Sequence, residues 1–323
     1  MLETISVIIP SQSDSADLIV LKRLGSVDYP MDKVEIILTT GSHPTAQRNK
    51  AAKTARGDIL YFFNSDAQPE PGIFRKAAAI INSDVRIAGA GGPDLTPPDN
   101  SYIQHLFGYA MSSYFAHWKM RARYCPAGKQ RASGEKELLL SNMAMRKDVF
   151  LKQECFNEKL YPNEENELIN RIQEGGYIFI YSPELRIYRD RRKTLLEFAR
   201  QFYRYGQGRM NQIFIEGVFR NLQFFIPFLL MAYFLTALFI LKDFWVRFGL
   251  LFIYVLFSLA DSLCISVKNN RNLVFVLPFL YFSMHMSYAV GMLSAVFKKA
   301  LRLNFNLRKE NEIEVIRLKE MHV

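Results

Sequence analysis

Three short segments carry residue types that can do chemistry at the spacing they have. Asn64-Ser65-Asp66 follows the apolar run Ile59–Phe63. A carboxylate at the end of a buried strand can hold Mg2+ or Mn2+, whose remaining ligands are phosphate oxygens and waters, and such an ion neutralises a departing diphosphate. Glu164-Glu165-Asn166-Glu167-Leu168 sets three acids at the start of a helical segment, where one carboxylate can take a proton from an attacking hydroxyl. Arg200-Gln201-Phe202-Tyr203-Arg204-Tyr205-Gly206 carries two arginines able to pair with a pyrophosphate.

Each segment also has a plainer reading. Asn64, Asp66 and Pro69 are turn formers. Acids in a first helical turn gain from the macrodipole whether or not they react. Leu195, Phe198, Ala199 and Phe202 share one helical face, so the basic stretch of about 194–209 fits an amphipathic helix lying in a membrane interface.

The elements that must position these residues follow from periodicity. Ile5–Pro10 and Val34–Thr39 are short apolar runs of the buried parallel-strand kind, with a helical pattern over Asp14–Leu24 between them. A helix over Pro44–Ala55 leads to the strand Ile59–Phe63, then to a helix over 71–82 and a strand over 85–90, before the turn Gly91-Gly92-Pro93. Beyond it the pattern predicts an aromatic-rich helix over Ile103–Met120, strands over Leu138–Met145 and Tyr177–Tyr181, and a helix over Pro162–Glu174 closed by Gly175-Gly176. This alternation predicts an α/β, doubly wound, Rossmann-like sheet with its ligand outside the carboxyl ends of the strands, which is where Asp66 falls.

The last third of the 323-residue chain differs in kind. The stretches 222–241, 246–267 and 273–297 are apolar on all faces, and each is long enough to cross a bilayer. They predict an α-helical transmembrane region over 210–300, with a basic, amphipathic tail over 301–323. Within it Asp261 and His285 are costly to bury and stand as functional candidates; the plainer reading is that they hydrogen-bond between helices.

Met1–Pro10 shows no basic stretch followed by a long apolar run, so the amino-terminal domain is expected in the cytosol, at a plasma or inner membrane. Three widely spaced cysteines give neither a disulfide framework nor metal-ligand spacing. The net charge of +10 concentrates in Arg186–Lys193 and onward to Arg220, a juxtamembrane cluster suited to anionic lipid. Nucleic acid, the rival partner for a basic chain, is not expected beside membrane spans and without a binding motif. Three crossings would put the tail outside, yet Lys298, Lys299 and Arg302 favour the cytosolic side.

Taken in order, these motifs resemble the family-2 nucleotide-sugar glycosyltransferases of the GT-A fold over about residues 3–209. The donor half is carried by Ser6–Pro10, Ala46–Asn49 through Ala55–Leu60, and Asn64–Asp66 with Pro69 and Pro71-Gly72; the acceptor half by Ser141-Asn142 with Met145-Arg146, and Glu164–Leu168 with Arg171-Ile172. Gly91-Gly92-Pro93, Asn163–Ile172 and Gln201–Arg209 are similar to membrane-associated transferases of exopolysaccharide assembly, the succinoglycan type.

The resemblance implies an inverting transfer from a nucleotide sugar to a hydroxyl of a polyprenyl-linked saccharide at the inner leaflet. It implies that Asp66 binds the metal and that Glu165, which stands at the catalytic Asp of an E-D-x-E-L pattern, is the base. Pro10, Thr39, Arg48, Asn64 and Ser65 fall on the donor side, with Gln201 and Arg204 at a Q-x-x-R-W element; Ser141, Asn142 and Glu164 fall on the acceptor side. Asn64 replaces the first acid of D-x-D, and Thr39-Thr40 stands where an acid often meets the base.

Two other readings compete: a polyprenyl-phosphate sugar synthase, whose phosphate nucleophile needs no base, and a non-catalytic membrane scaffold that keeps the fold. A processive synthase would need chains to associate as a homo-oligomer, three spans being a scant channel.

Overall fold

The computed structural model describes residues 3–11, 18–239, 242–301 and 313–318. The start of the expected Asp14–Leu24 helix, the end of the first apolar stretch and most of the 301–323 tail, Arg302 included, lie outside these residues. The chain divides into two compact units, one of Met1–Pro98, Ala122–Asp190 and Asn306–Val323, the other of Asp99–Arg121 and Arg191–Phe305.

The first unit begins with β1 (Ile5–Ser11), α1 (Ile19–Leu24), β2 (Val34–Thr40), α2 (Pro44–Thr54), β3 (Ile59–Phe63), β4 (Gln68–Pro69), α3 (Ile73–Asn82), β5 (Ile87–Gly91) and β6 (Asp94–Leu95). The second unit then contributes α4 (Tyr102–Met111) and α5 (Tyr114–His117). The first resumes with β7 (Arg131–Ser133), β8 (Asn142–Arg146), α6 (Lys147–Lys152), α7 (Glu164–Glu174), β9 (Ile178–Tyr181) and β10 (Ile187–Tyr188). The remaining helices are α8 (Leu195–Glu216), α9 (Ile226–Phe239), α10 (Phe244–Asn269) and α11 (Val276–Ala300), and β11 (Glu314–Leu318) returns to the first unit.

Eight strands form one mixed sheet in the order β11-β2-β1-β3-β8-β5-β9-β7. β2 and β3 run parallel to β1, whereas β8 is antiparallel to both β3 and β5. Both faces are covered, which is why the central strands read as unbroken apolar runs. Val7, Ile9, Tyr61 and Phe63 pack with Phe74 of α3 on one side; Ile8, Leu60 and Phe62 pack with Phe150, Phe156 and Ile169 on the other. A mixed sheet with helices on both faces is the α/β architecture that the alternation in the sequence predicts.

Several elements differ from the sequence reading. The aromatic segment after Ser101 is broken at Ser112-Ser113: Ser113 caps a new short helix by accepting from Ala116 N, and a 3-10 stretch over Trp118–Arg123 follows. The strand expected from Leu138 starts only at Asn142, because Asn142 N turns back to Leu139 O. The amphipathic helix continues past 209 to Glu216 and stops at Gly217, whose φ of +90° suits glycine.

A second sheet of three two-residue strands, in the order β4-β10-β6, was not predicted. Neither was β11, which lies antiparallel on β2 with Val315 opposite Thr39.

The second unit contains three helices long and apolar enough to cross a membrane: Phe219–Ala237, Phe244–Asn269 and Val276–Ala300. The first is only partly α-helical, since a 3-10 stretch occupies Phe219–Phe225. α8 and α11 meet glycine to glycine: a Cβ on Gly206 would stand 2.0 Å from Tyr288 O, and one on Gly291 would stand 2.0 Å from Tyr203 O. Their backbones approach too closely for any other residue type. Beside that crossing Tyr203 Oη donates to Ser294 Oγ at 2.7 Å.

Candidate active site

β3 ends in a tight turn, Ala67 N donating to Asn64 O, so that Asp66 emerges just before the small sheet. That sheet fixes two partners for it. Pairing of β10 between β4 and β6 sets Ile187 opposite both Pro69 and Asp94, which brings Arg189 and Asp94 to the same end as Asp66. Arg189 Nε lies 2.9 Å from each Asp66 carboxylate oxygen, and Arg189 Nη1 lies 3.6 Å from Asp94 Oδ2. Ser141 Oγ donates to the same buried Asp94 at 3.4 Å. The turn at Gly91-Gly92-Pro93 makes this closure possible, because a Cβ on Gly92 would fall 2.1 Å from Leu185 O, on the segment that leads into β10.

α2 supplies the second group. His43 Nδ1 caps it by accepting from Ala46 N, and the helix buries Thr45, Gln47, Arg48 and Asn49 rather than an apolar stripe. Gln47 Nε2 donates to both Ser11 O and Thr39 O, clamping the ends of β1 and β2 together. Asn49 exchanges two hydrogen bonds with the backbone of Phe156. Between them Arg48 donates to Glu164 Oε1 at 2.9 Å and to Asn64 Oδ1 at 3.1 Å, joining two of the segments singled out in the sequence.

Burial pushes the Glu164 carboxyl up to about 7; the neighbouring Glu165 charge adds to the rise, and Arg48 opposes it. Arg48 Nε and Thr39 Oγ1 are both buried without a hydrogen-bond partner. Buried polar atoms left so are suited to a ligand or an ordered water.

α7 starts after Asn163, held at φ +89°. Its acids are divided by their partners. Glu164 is buried against Arg48, and Glu167 is held by Arg171 Nε and Nη2 at 2.9 Å each. Asn166 accepts from the buried Arg123. Glu165 is half-buried, and among the described residues it takes part in no hydrogen bond or ion pair. It is the acid of this segment left available to an incoming hydroxyl.

The other residues read from the sequence fall as follows. Pro10 lies in β1 beside Thr39 of β2, and Ser65 sits in the turn after β3. Asn142 is fully buried, with Oδ1 taken by Tyr61 Oη and Nδ2 donating to Pro93 O and Leu185 O, so its amide holds strands together. Gln201 accepts from Arg192 and donates to Tyr205 within the second unit, where Arg204 is exposed on α8.

Asp261 and His285 do not pair with each other. Asp261 Oδ2 accepts from Ser113 Oγ at 2.6 Å and Tyr281 Oη at 2.8 Å, while His285 contacts Ala116 O and Tyr254 Oη. Together they hold α5 against α10 and α11.

Sequence reasoning missed Asp94, Arg123 and Arg189. Arg189 belonged to a run read as facing lipid; the structure divides that run, with Arg192, Lys193, Arg200 and Arg204 exposed and Arg191 buried. No motif signalled Asp94; only its place after Gly92-Pro93 could have.

Among the described residues no three of His, Cys, Asp and Glu cluster as a metal site. Asp66, a strand-end carboxylate with 41% side-chain exposure, nevertheless fits an ion whose other ligands come from a diphosphate and water.

A family model described as glycosyl transferase family group 2 matches residues 59–294. No curated protein matches the sequence significantly. Among solved structures, the chain is similar to the mannosyltransferase PcManGT from Pyrobaculum calidifontis in complex with GDP-Man and Mn2+. The TM-score is 0.58 at 14% identity, over 92% of this chain and 88% of that one. GalNAc-T7 with UDP, GalNAc and Mn2+ aligns with a TM-score of 0.42 at 13% identity, over 65% and 51%.

Proposed function

We propose that this chain, which belongs to glycosyl transferase family group 2, moves a sugar from a nucleotide-sugar donor to a hydroxyl of a polyprenyl-linked saccharide at a membrane, with inversion. The observation that carries this reading is the division of labour on α7: Glu164 and Glu167 are each tied to an arginine, and Glu165 is not. A synthase acting on a lipid phosphate has no proton to remove and so no use for a base at this place.

In the proposed step the acceptor oxygen forms a bond to the anomeric carbon as the bond from that carbon to the diphosphate oxygen breaks. Glu165 receives the hydroxyl proton, and the nucleoside diphosphate departs on the opposite face. Arg48, already positioned on Asn64 and Glu164, brings fixed positive charge to the donor side. Asp66 is the residue that would hold Mg2+ or Mn2+, which neutralises diphosphate charge when bound. Thr39, Pro10 and Ser65 are proposed to line the donor. Gln201 and Arg204 are assigned there on the resemblance of their segment to the Q-x-x-R-W element.

Membrane attachment is supported by the three apolar helices. β11 pairs with β2, so the tail strand and the transferase sheet share a compartment, which we take as the cytosol. The intervening chain must then cross an even number of times. We take the first of the three, whose start over Phe219–Phe225 is 3-10 rather than α-helical, as the one that does not cross.

The reading is tested by thermal shift in detergent with Mn2+ and a panel of nucleotide sugars. One donor should stabilise the protein, and Asp66→Ala should remove the effect. Stabilisation by none would favour the scaffold.

A further inference from the structure

The arginine on Asp66 is not part of any motif that pointed to the site, yet its geometry is specific. Arg189 presents Nε to both carboxylate oxygens at 2.9 Å, which occupies the side of Asp66 a cation would use. The pair is not locked: the side chains of Arg189 and Asp66 are 25% and 41% exposed. A pair in contact with solvent is screened and worth little in free energy, so a competing ligand can displace it. Asp94, buried and 3.6 Å from Nη1, is a second carboxylate that keeps the guanidinium beside the site once Asp66 lets go.

We infer that Arg189 is a positioning residue acting as an exchangeable latch: it neutralises Asp66 before a divalent cation arrives, yields the carboxylate to that ion, and is retained by Asp94 facing the donor diphosphate. The inference rests on the reading of Asp66 as the metal-holding carboxylate.

The chemistry follows from charge alone. Asp66 without a counter-charge would sit close to the place where an anionic diphosphate must bind. Arg189 removes that repulsion in the resting protein. With a divalent cation bound, Asp66 would give up the Arg189 guanidinium, which would stay on Asp94 and add its charge to the donor side. Cation and diphosphate binding become mutually reinforcing, because each favours the open state of the latch.

The latch also imposes a cost on cation binding, since Mn2+ must displace Arg189 first, and the apparent affinity falls by the fraction of protein in which Asp66 is free.

The test is Mn2+ binding to the full-length protein in detergent without donor, read from the electron paramagnetic resonance signal of free Mn2+. Arg189→Gln should bind Mn2+ about two- to fivefold more tightly than wild type, the factor expected for removing a weak ion pair. Arg189→Lys keeps a charge for Asp94 but loses the fork, and should tighten binding by a smaller factor in a background less disturbed in folding. Asp66→Ala should abolish the binding.

Mn2+ binding lost in Asp66→Ala but unchanged or weakened in both Arg189 variants would overturn the latch alone. Binding unaffected by Asp66→Ala would sink the metal reading of Asp66 and the latch with it.

Discussion

Arg48 and Glu164 form an ion pair at 2.9 Å in which both side chains are more than nine-tenths buried, and Arg48 spends its other terminal nitrogen on Asn64. The pair joins the proposed donor side to the helix that carries the proposed base. Burial of two charges costs several kcal/mol, which an ion pair seldom recovers in stability. Its presence is therefore better explained by placement than by stability: Arg48 lies on the proposed donor side, and Glu164 fixes the first turn of α7, which carries Glu165.

The pH dependence of stability should carry the mark of Glu164. Its folded pKa is raised from the ordinary carboxylate value to about 7, so the folded state binds the proton more tightly than the unfolded chain. Stability from this group is present below about 4.5 and is lost as pH rises to about 7, by on the order of 3 kcal/mol. Thermal unfolding of Glu164→Gln across that range should show a flatter pH profile than wild type. A profile parallel to wild type would contradict the assignment.

The α8–α11 crossing should not tolerate a side chain. Gly206→Ala places a methyl group against Tyr288 O and should cost about 1–3 kcal/mol, seen as a lower Tm. Gly249→Ala, where the added carbon meets nothing within 4 Å, should be neutral or stabilising by up to about 1 kcal/mol.

Asp261 should prove structural. Ser113, Tyr281 and the backbone of Phe115 all donate to it. Asp261→Ala leaves these donors without an acceptor, a loss of about 1–3 kcal/mol each if they stay buried. Limited proteolysis should then cut within 112–121 faster than in wild type, and Asp261→Asn should restore much of the protection.

The sidedness of the tail follows from β11. After Cys125, Cys155 and Cys264 are replaced by serine, a cysteine at the exposed Glu314 and one at the exposed Val85 should react with an impermeant thiol reagent from the same face of sealed vesicles. Labelling from opposite faces would contradict an even number of crossings.

What was legible in the sequence was what has a period or a length. Val7, Ile8 and Ile9 announce a strand covered on both faces, and α10 and α11 announce themselves by apolar length. β4, β6 and β10, at two residues each, are too short to show alternation, so the sheet that gathers Asp66, Asp94 and Arg189 left no trace.

Arg189 was hidden by its basic neighbours. Ser113 and Asp261 are 148 residues apart, and nothing local to either signals the other. β11 mixes Glu314 and Arg317 with apolar residues, as an edge strand with one face partly wetted does, and it reads as a polar tail. The acids of α7 were visible as a group; their division into engaged and unengaged depended on Arg48 and Arg171, which only the fold brings to them.

The most direct test of the account is Glu165→Gln, with transfer and donor binding measured on the same preparation. The account predicts that sugar transfer falls by at least about a hundredfold, the scale of general-base catalysis, while the stabilising donor binds with unchanged affinity. Transfer at the wild-type rate would contradict it.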